Sequence, residues 1–240
     1  MNTSSYRVFT DFDGTITISD IGDELFRHFA NLEICENAFE EYRNGNISAK
    51  ECWTRGWKSI PHITEKAIQE FVLQQKIDTS FHTFVHYCKE KNIPLTIVSD
   101  GFDKYINPIL EREQLSHLQR YTNQLEITPE GKAIPHFPFT DSDCTYCANC
   151  KRNHILTQTS DDQVIVYIGD GHSDKCPTKY ADIIFAKDSL VQYCEKHNIT
   201  FHHFTTFADV LKKFQTILET KKPHKRRTAE LLRRNVFIEE

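Results

Sequence analysis

The chain has no apolar run long enough to span a bilayer, so a transmembrane helix is not expected. Its opening residues, Met1-Asn2-Thr3-Ser4-Ser5, lack the apolar core of a secretory signal, and a cytoplasmic location is expected. An excess of basic charge is also missing. The 29 Lys and Arg stand against 34 Asp and Glu, and a net charge of -5 gives no general reason to bind nucleic acid. Cysteine is not scarce, with eight residues, but in 240 residues without an export signal these read as reduced thiols rather than a disulfide framework. A hydrophobic content of 39% and a charged content of 26% describe an ordinary globular protein, of a length suited to one domain or one domain with an insertion.

What is present begins with Tyr6-Arg7-Val8-Phe9-Thr10, a β-branched and aromatic run that predicts a strand. It ends in Asp11-Phe12-Asp13-Gly14-Thr15, and in extended chain the two carboxylates point the same way. At the carboxyl edge of a sheet, where open α/β folds bind ligands, two such charges invite a divalent cation. Alone, the pattern equally fits an Asp-Gly turn closing a hairpin. Residues 19–75 then read as helical, with Ser19-Asp20 as a cap, Asn44-Gly45-Asn46 and Ile60-Pro61-His62 as breaks, and both tryptophans, Trp53 and Trp57, inside. The reading is a small helical cap inserted between two parts of an α/β core, residues 1–18 and 76–220; ordinary peripheral helices are the plainer alternative.

Further strands are predicted at Leu95–Val98, Thr122–Ile127, Ile134–Phe139, Val164–Ile168, Ile183–Ala186 and Thr200–Phe204, alternating with helices. That alternation predicts a parallel, doubly wound sheet. Two more strand ends carry polar groups: Ser99-Asp100-Gly101, and Gly169-Asp170-Gly171-His172-Ser173-Asp174. Between them, Cys144, Cys147 and Cys150 fall at three-residue intervals, flanked by His136 and His154, a spacing suited to structural Zn²⁺ with a fourth ligand not evident. A shielded thiol cluster or a redox-sensitive loop fits the same pattern. Lys151 opens a helix just after it. The tail 221–240 is basic, since from Lys221 to Arg234 it sets Lys221, Lys222, Lys225, Arg226, Arg227, Arg233 and Arg234 against Glu230, and it reads as a solvated terminal helix.

In chain order the strand edges therefore bring Asp11 and Asp13, Ser99, Lys151, then Asp170 and Asp174. Phosphate-ester cleavage needs such a set: a nucleophile, a proton donor for the leaving oxygen, and cations for the developing charge. Asp11 suits attack on phosphorus, Asp13 general acid and base work, Ser99 and Lys151 the phosphoryl oxygens, and Asp170 a Mg²⁺ shared with Asp11 and supported by Asp174. The expected substrate is a small phosphorylated metabolite, without nucleic acid or membrane as partner. Phosphoryl transfer to another alcohol uses the same nucleophile. A catalytically silent regulatory protein, binding zinc and docking through its basic tail, is the reading from another class.

The order DxDGT, Ser after a strand, Lys, then GDGxxD resembles the haloacid dehalogenase superfamily of phosphohydrolases over residues 8–174. The resemblance implies Asp11 as nucleophile, Asp13 as acid and base, and Mg²⁺ held by Asp11, Asp170 and the carbonyl of Asp13. The helical stretch resembles the C1 cap of the phosphoserine-phosphatase-like branch. Within that branch, residues 10–17 and the Cys-rich segment ending in Lys151 are similar to phosphatases of a methylthiopentenyl phosphate, of phosphoethanolamine and phosphocholine, and of pyridoxal phosphate. The substrate would meet Asp20, Ser99, Gly101 and Lys151. Asp20 stands where phosphoserine phosphatases carry a longer glutamate that reads the amine, which argues against phosphoserine. Asp100, beside Ser99, disfavours more anionic substrates unless it points away.

Overall fold

A computed structural model of the protein describes residues 5–142, 144–220 and 225–238. Strand β1 (Tyr6–Thr10) is followed by four short helices, α1 (Ile21–Phe29), α2 (Leu32–Arg43), α3 (Ala49–Lys58) and α4 (Glu65–Val72). Then come α5 (Ser80–Glu90), β2 (Leu95–Phe102), α6 (Asp103–Arg112), β3 (Gln119–Ile127) and β4 (Ala133–His136). The remainder is α7 (Lys151–Gln158), β5 (Val164–Gly169), β6 (Ile183–Ala186), α8 (Asp188–Lys196), β7 (His202–His203), α9 (Phe207–Glu219) and α10 (Arg227–Ile238). The strands form one sheet in the order β4-β3-β2-β1-β5-β6-β7. Parallel ladders join β1 to β2 and β5, β5 to β6, and β6 to β7, while β3 and β4 are antiparallel. The expected α/β class with a mainly parallel sheet is the one observed. Among the described residues no helix is long and apolar enough to cross a membrane.

The chain divides into two units. The first comprises 1–16, 77–97 and 151–240, and the second 17–76 with 98–150, so β2 begins in one and ends in the other. In the first unit β5 is buried along its whole length, which is why it reads as an unbroken apolar run rather than an alternating one. Each fully buried Val or Ile there contributes roughly 2 kcal/mol. The ladder sets Thr10 beside Ile168, and the Asp11 N–H donates to the Ile168 carbonyl at 2.9 Å. Register thus delivers Asp11 and Asp170 to one edge of the sheet. The expected strand at 200–204 shrinks to His202–His203, a two-residue pairing with β6.

Helix α7 buries Lys151, His154, Ile155 and Leu156. His154 is 6% exposed, and burial pushes its imidazole down to about 4 from 6.5. Such a group stays neutral in the fold, so its contribution is complete above the unfolded pKa and is lost as pH falls from about 6.5 toward 4. Urea unfolding should lose roughly 3 kcal/mol across that window on this account. His154→Gln should flatten the loss; an unchanged pH slope in the variant would refute it.

In the second unit each of α1 to α4 starts on a side chain that accepts an N–H three residues on: Asp20 from Asp23, Asn31 from Ile34, Ser48 from Glu51 and Thr64 from Ala67. Four capped starts over so short a span explain why the region forms four helices rather than one or two. Their apolar faces meet aromatic side chains. Trp53 and Trp57 lie edge-on to Phe102, each at 5.2 Å between ring centroids, and both also contact Phe26. Helix α3 packs on β4 and α4 on α6, so residues 98–150 fold with the helical stretch. The expected strand Ile134–Phe139 is shorter and earlier, Ala133–His136, and pairs with β3 from Gln124 to Ile127.

The expected terminal helix forms and is exposed along much of its length, but it is anchored rather than free in solvent. Ala229 is fully buried, and Arg233 turns inward to Asp182, a carboxylate whose burial demands a cation. Residues 221–224 of that segment lie outside the described residues.

Candidate active site

Asp11 follows directly on β1 and is 5% exposed. Its Oδ1 accepts the N–H of Phe12 at 2.7 Å, and its Oδ2 lies 2.9 Å from Lys151 Nζ. The Phe12 carbonyl then accepts from Thr15 and Ile16, closing a tight turn. Gly14 occupies that turn with φ +67, a left-handed conformation, and a Cβ there would come within 2.7 Å of Asp170 Oδ2. The DxDGT glycine is thus required twice, by its backbone and by the carboxylate it faces. Thr15 Oγ1 donates to Asp170 Oδ1 at 2.5 Å. Asp13 is buried within the same turn.

Lys151, the first residue of α7, is 2% exposed. Its ammonium donates to Asp174 Oδ1 at 2.7 Å and to Ser173 Oγ at 2.8 Å, besides facing Asp11. Asp174 is fully buried: Oδ1 also accepts Tyr167 OH at 2.5 Å, and Oδ2 accepts the N–H groups of Asp170 and Gly171 at 2.9 and 3.0 Å. Gly169 permits this approach, since a Cβ there would lie 2.5 Å from the Asp174 carboxyl.

Asp11, Asp170 and Asp174 each offer an oxygen within 4.8 Å of the others. Three hard oxygen donors on a sheet edge suit a divalent cation of the Mg²⁺ or Ca²⁺ type. Asp174, engaged by four donors, orients the loop, while Asp11 and Asp170 are the better ligands. Burial, then the charge of Asp174, pushes the Asp11 carboxyl well above its ordinary range; Lys151 pulls the other way, and Asp170 and Asp13 add to the rise. Asp174 moves in the opposite direction. Burial alone would raise it, but Lys151, Tyr167 OH and the Gly171 N–H together hold it below the usual carboxylate range.

The other sequence-selected residues lie in the second unit. Ser99 is fully buried on β2, its Oγ accepting the Gly101 N–H at 2.9 Å and its carbonyl the Asn149 side chain at 2.8 Å. Asp20 is exposed and caps α1. Cys144, Cys147 and Cys150 do not come together: among the described residues the only grouping able to hold a metal is the aspartate set. The segment is an irregular loop, so a three-residue spacing does not stack thiols as a helix turn would. Cys150 is buried, with its N–H donating to Phe139, whereas Cys144 is half-buried and its N–H donates to Asp141. His136 instead pairs with Glu126, and none of the eight cysteines forms a disulfide. Sequence reasoning missed Tyr167, Ser173, Thr15 and Asn149 as supports. Only Thr15 carried a signal, through its place in the motif.

The sequence model of the haloacid dehalogenase-like hydrolases matches residues 8–176. A 2-hydroxy-3-keto-5-methylthiopentenyl-1-phosphate phosphatase of Bacillus mycoides is 32% identical over 219 residues, covering 90% of this chain and 99% of that protein. A protein named Pdp3-interacting factor 1, from Schizosaccharomyces pombe, is 29% identical over 221 residues, 88% of this chain and 95% of its own. Among solved structures, a phospho-aspartyl intermediate analogue of phosphoserine phosphatase aligns with a TM-score of 0.66 at 16% identity, covering 88% of this chain and 99% of that one, a likeness of fold. With its buried aspartate and lysine set on that fold, the chain belongs to the haloacid dehalogenase-like hydrolases and is an enzyme of their phosphatase group.

Proposed function

We propose that this phosphatase cleaves the monoester bond of a small phosphorylated metabolite, with Asp11 as nucleophile and Mg²⁺ as cofactor. The observation that carries the reading is Lys151, buried between Asp11 and Asp174 while Asp170 lies alongside. A buried ammonium among carboxylates is the electrostatic setting a dianionic phosphate requires. Asp11, Asp170 and the Asp13 carbonyl would hold Mg²⁺, whose charge would neutralise the phosphoryl oxygens. The Asp11 carboxylate attacks phosphorus in line and forms an aspartyl phosphate. Asp13 gives its proton to the leaving alkoxide and then takes one from the water that hydrolyses the acyl phosphate. Lys151 and the Ser99 hydroxyl bind phosphoryl oxygens, and the Gly101 N–H holds Ser99 Oγ in position. Asp20 and Gly101 are assigned to the organic part of the substrate, Asp20 in addition to capping α1.

The Bacillus relative is named for a sugar-like ketone phosphate bearing a methylthio group, which supports a compact metabolite over a phosphoprotein. The test is phosphate release from a panel holding that compound, phosphoethanolamine, phosphocholine, pyridoxal phosphate and phosphoserine, with Mg²⁺ and with EDTA. One metabolite should stand out, with turnover abolished by EDTA. Faster release from a phosphopeptide, or none from any monoester, overturns the proposal.

A further inference from the structure

We infer that α10 and the residue before it form a positioning clamp, through which Arg226 and Arg233 govern the cation affinity and turnover of the aspartate site; this rests on the phosphatase reading above. The short turn Pro177–Lys179 follows directly on the loop that carries Asp170 and Asp174. Helical turns leave carbonyls without partners at their ends. Here two guanidiniums supply them: Arg226 Nη2 donates to the carbonyls of Thr178 and Lys179 at 2.5 and 2.8 Å, and Arg233 Nη1 donates to that of Tyr180. Arg233 Nη2 and the Arg226 N–H both reach Asp182 Oδ1, each at 3.1 Å. The Asp182 side chain is fully buried and that of Arg233 only 13% exposed, so solvent screens this pair weakly. Asp182 is fastened in turn to the start of β5: its Oδ2 accepts the Ile165 N–H at 2.9 Å, and its own N–H donates to the Ile165 carbonyl at 2.8 Å.

Arg226 and Arg233 therefore hold the end of the stretch from Ile165 to Asp182, and Asp182 ties that end back to its start; the stretch contains Tyr167, Gly169, Asp170 and Asp174. The same turn packs against α7, whose first residue is Lys151, and Thr178 Oγ1 donates to the carbonyl of Lys175, the residue after Asp174. The tail adds no atom to the site and acts by fixing the loop. Displacement on the order of 1 Å in such a constellation costs about 100-fold in rate. The clamping residues lie beyond the 8–176 match, where the family's motifs end.

The test uses the full chain with Arg226→Met and Arg233→Met, checked for folding by circular dichroism. Turnover is measured on the preferred substrate, and Mn²⁺ binding is titrated calorimetrically without substrate. Each variant should lose about 10- to 100-fold in kcat and about 10-fold in Mn²⁺ affinity, with KM within about twofold, and Arg233→Lys should restore part of both. Folded variants with kcat and Mn²⁺ affinity within about twofold of the parent overturn the clamp, as does failure of both Met variants to fold, which would assign α10 to stability alone. If the parent hydrolyses nothing while Mn²⁺ affinity still follows the arginines, the phosphatase reading fails and the clamp stands for cation affinity alone.

Discussion

Asp11→Asn should abolish phosphate release while making the metal-free protein more stable. The rate effect follows from the role proposed for Asp11: without the carboxylate no acyl phosphate would form, and loss of a nucleophile costs on the order of 10⁴-fold or more. The stability effect follows from the setting. Asp11 is buried beside Asp174, with Asp170 and Asp13 adding negative charge and Lys151 only partly offsetting it, so its carboxyl is raised well above its ordinary range. A group raised in the fold contributes stability that is complete below its unfolded pKa, about 3.9, and is lost as pH rises through the folded value. At neutral pH in EDTA the native side chain is thus a burden that Asn relieves, the familiar exchange of stability for activity at reactive sites. If Mg²⁺ is the cofactor, as proposed, adding it at about 100 times its Kd should return about 2.7 kcal/mol to the parent and less to the variant, which would lack the proposed Asp11 ligand. Urea unfolding in EDTA at pH 5 and 8 reads the sign. A variant less stable than the parent at pH 8, or one retaining measurable turnover, would contradict this account of the site.

Much of this arrangement was legible because it rests on local rules. Strand β5 announces itself as five apolar residues running into Gly169, and the register of parallel strands then carries Asp11 and Asp170 to the same edge. Asp20 marked the start of α1 for the same reason, since a capping side chain acts within one turn, whereas Asn31, Ser48 and Thr64 cap α2, α3 and α4 without having been singled out. What was not legible depends on partners distant in sequence. Tyr167 reads as one more core residue of β5, yet its hydroxyl serves Asp174. Asn149 sits among cysteines that drew attention to metal binding, while its own amide bridges the carbonyls of Ser99 and Tyr121. Arg233 looked like solvated charge because Asp182, the buried group it neutralises, precedes it by 51 residues and carries no signature. The spacing of Cys144, Cys147 and Cys150 suits zinc, but spacing says nothing of how the loop folds, and there the three thiols do not gather into a site. Local chemistry is written in neighbouring letters, whereas buried charge pairing is written in the fold.

Lys151→Met should be the most destabilising change at the site, and its cost in stability should shrink when Asp11 is changed with it. The ammonium is 2% exposed and lies within 3 Å of both Asp11 and Asp174. Removing one partner of a buried ionic set leaves charge without compensation, at a cost of about 3–5 kcal/mol. Turnover should fall by about 10³-fold, since the phosphoryl oxygens lose their buried cation. Methionine keeps the length of the side chain, so the loss reports charge rather than a cavity. In Lys151→Met/Asp11→Asn one of the two stranded carboxylates is gone, while Asp174 retains Tyr167 OH and the N–H groups of Asp170 and Gly171. The double variant should therefore recover about 1–3 kcal/mol relative to the sum of the single effects, with no recovery of activity. Stability and catalysis part company here because the first asks only that charges balance, and the second that Asp11 keep its own. Unfolding free energies of the four proteins in EDTA decide the matter: if the two substitutions add within about 0.5 kcal/mol, Lys151 and Asp11 do not act as a pair, and the electrostatic account of the site is wrong.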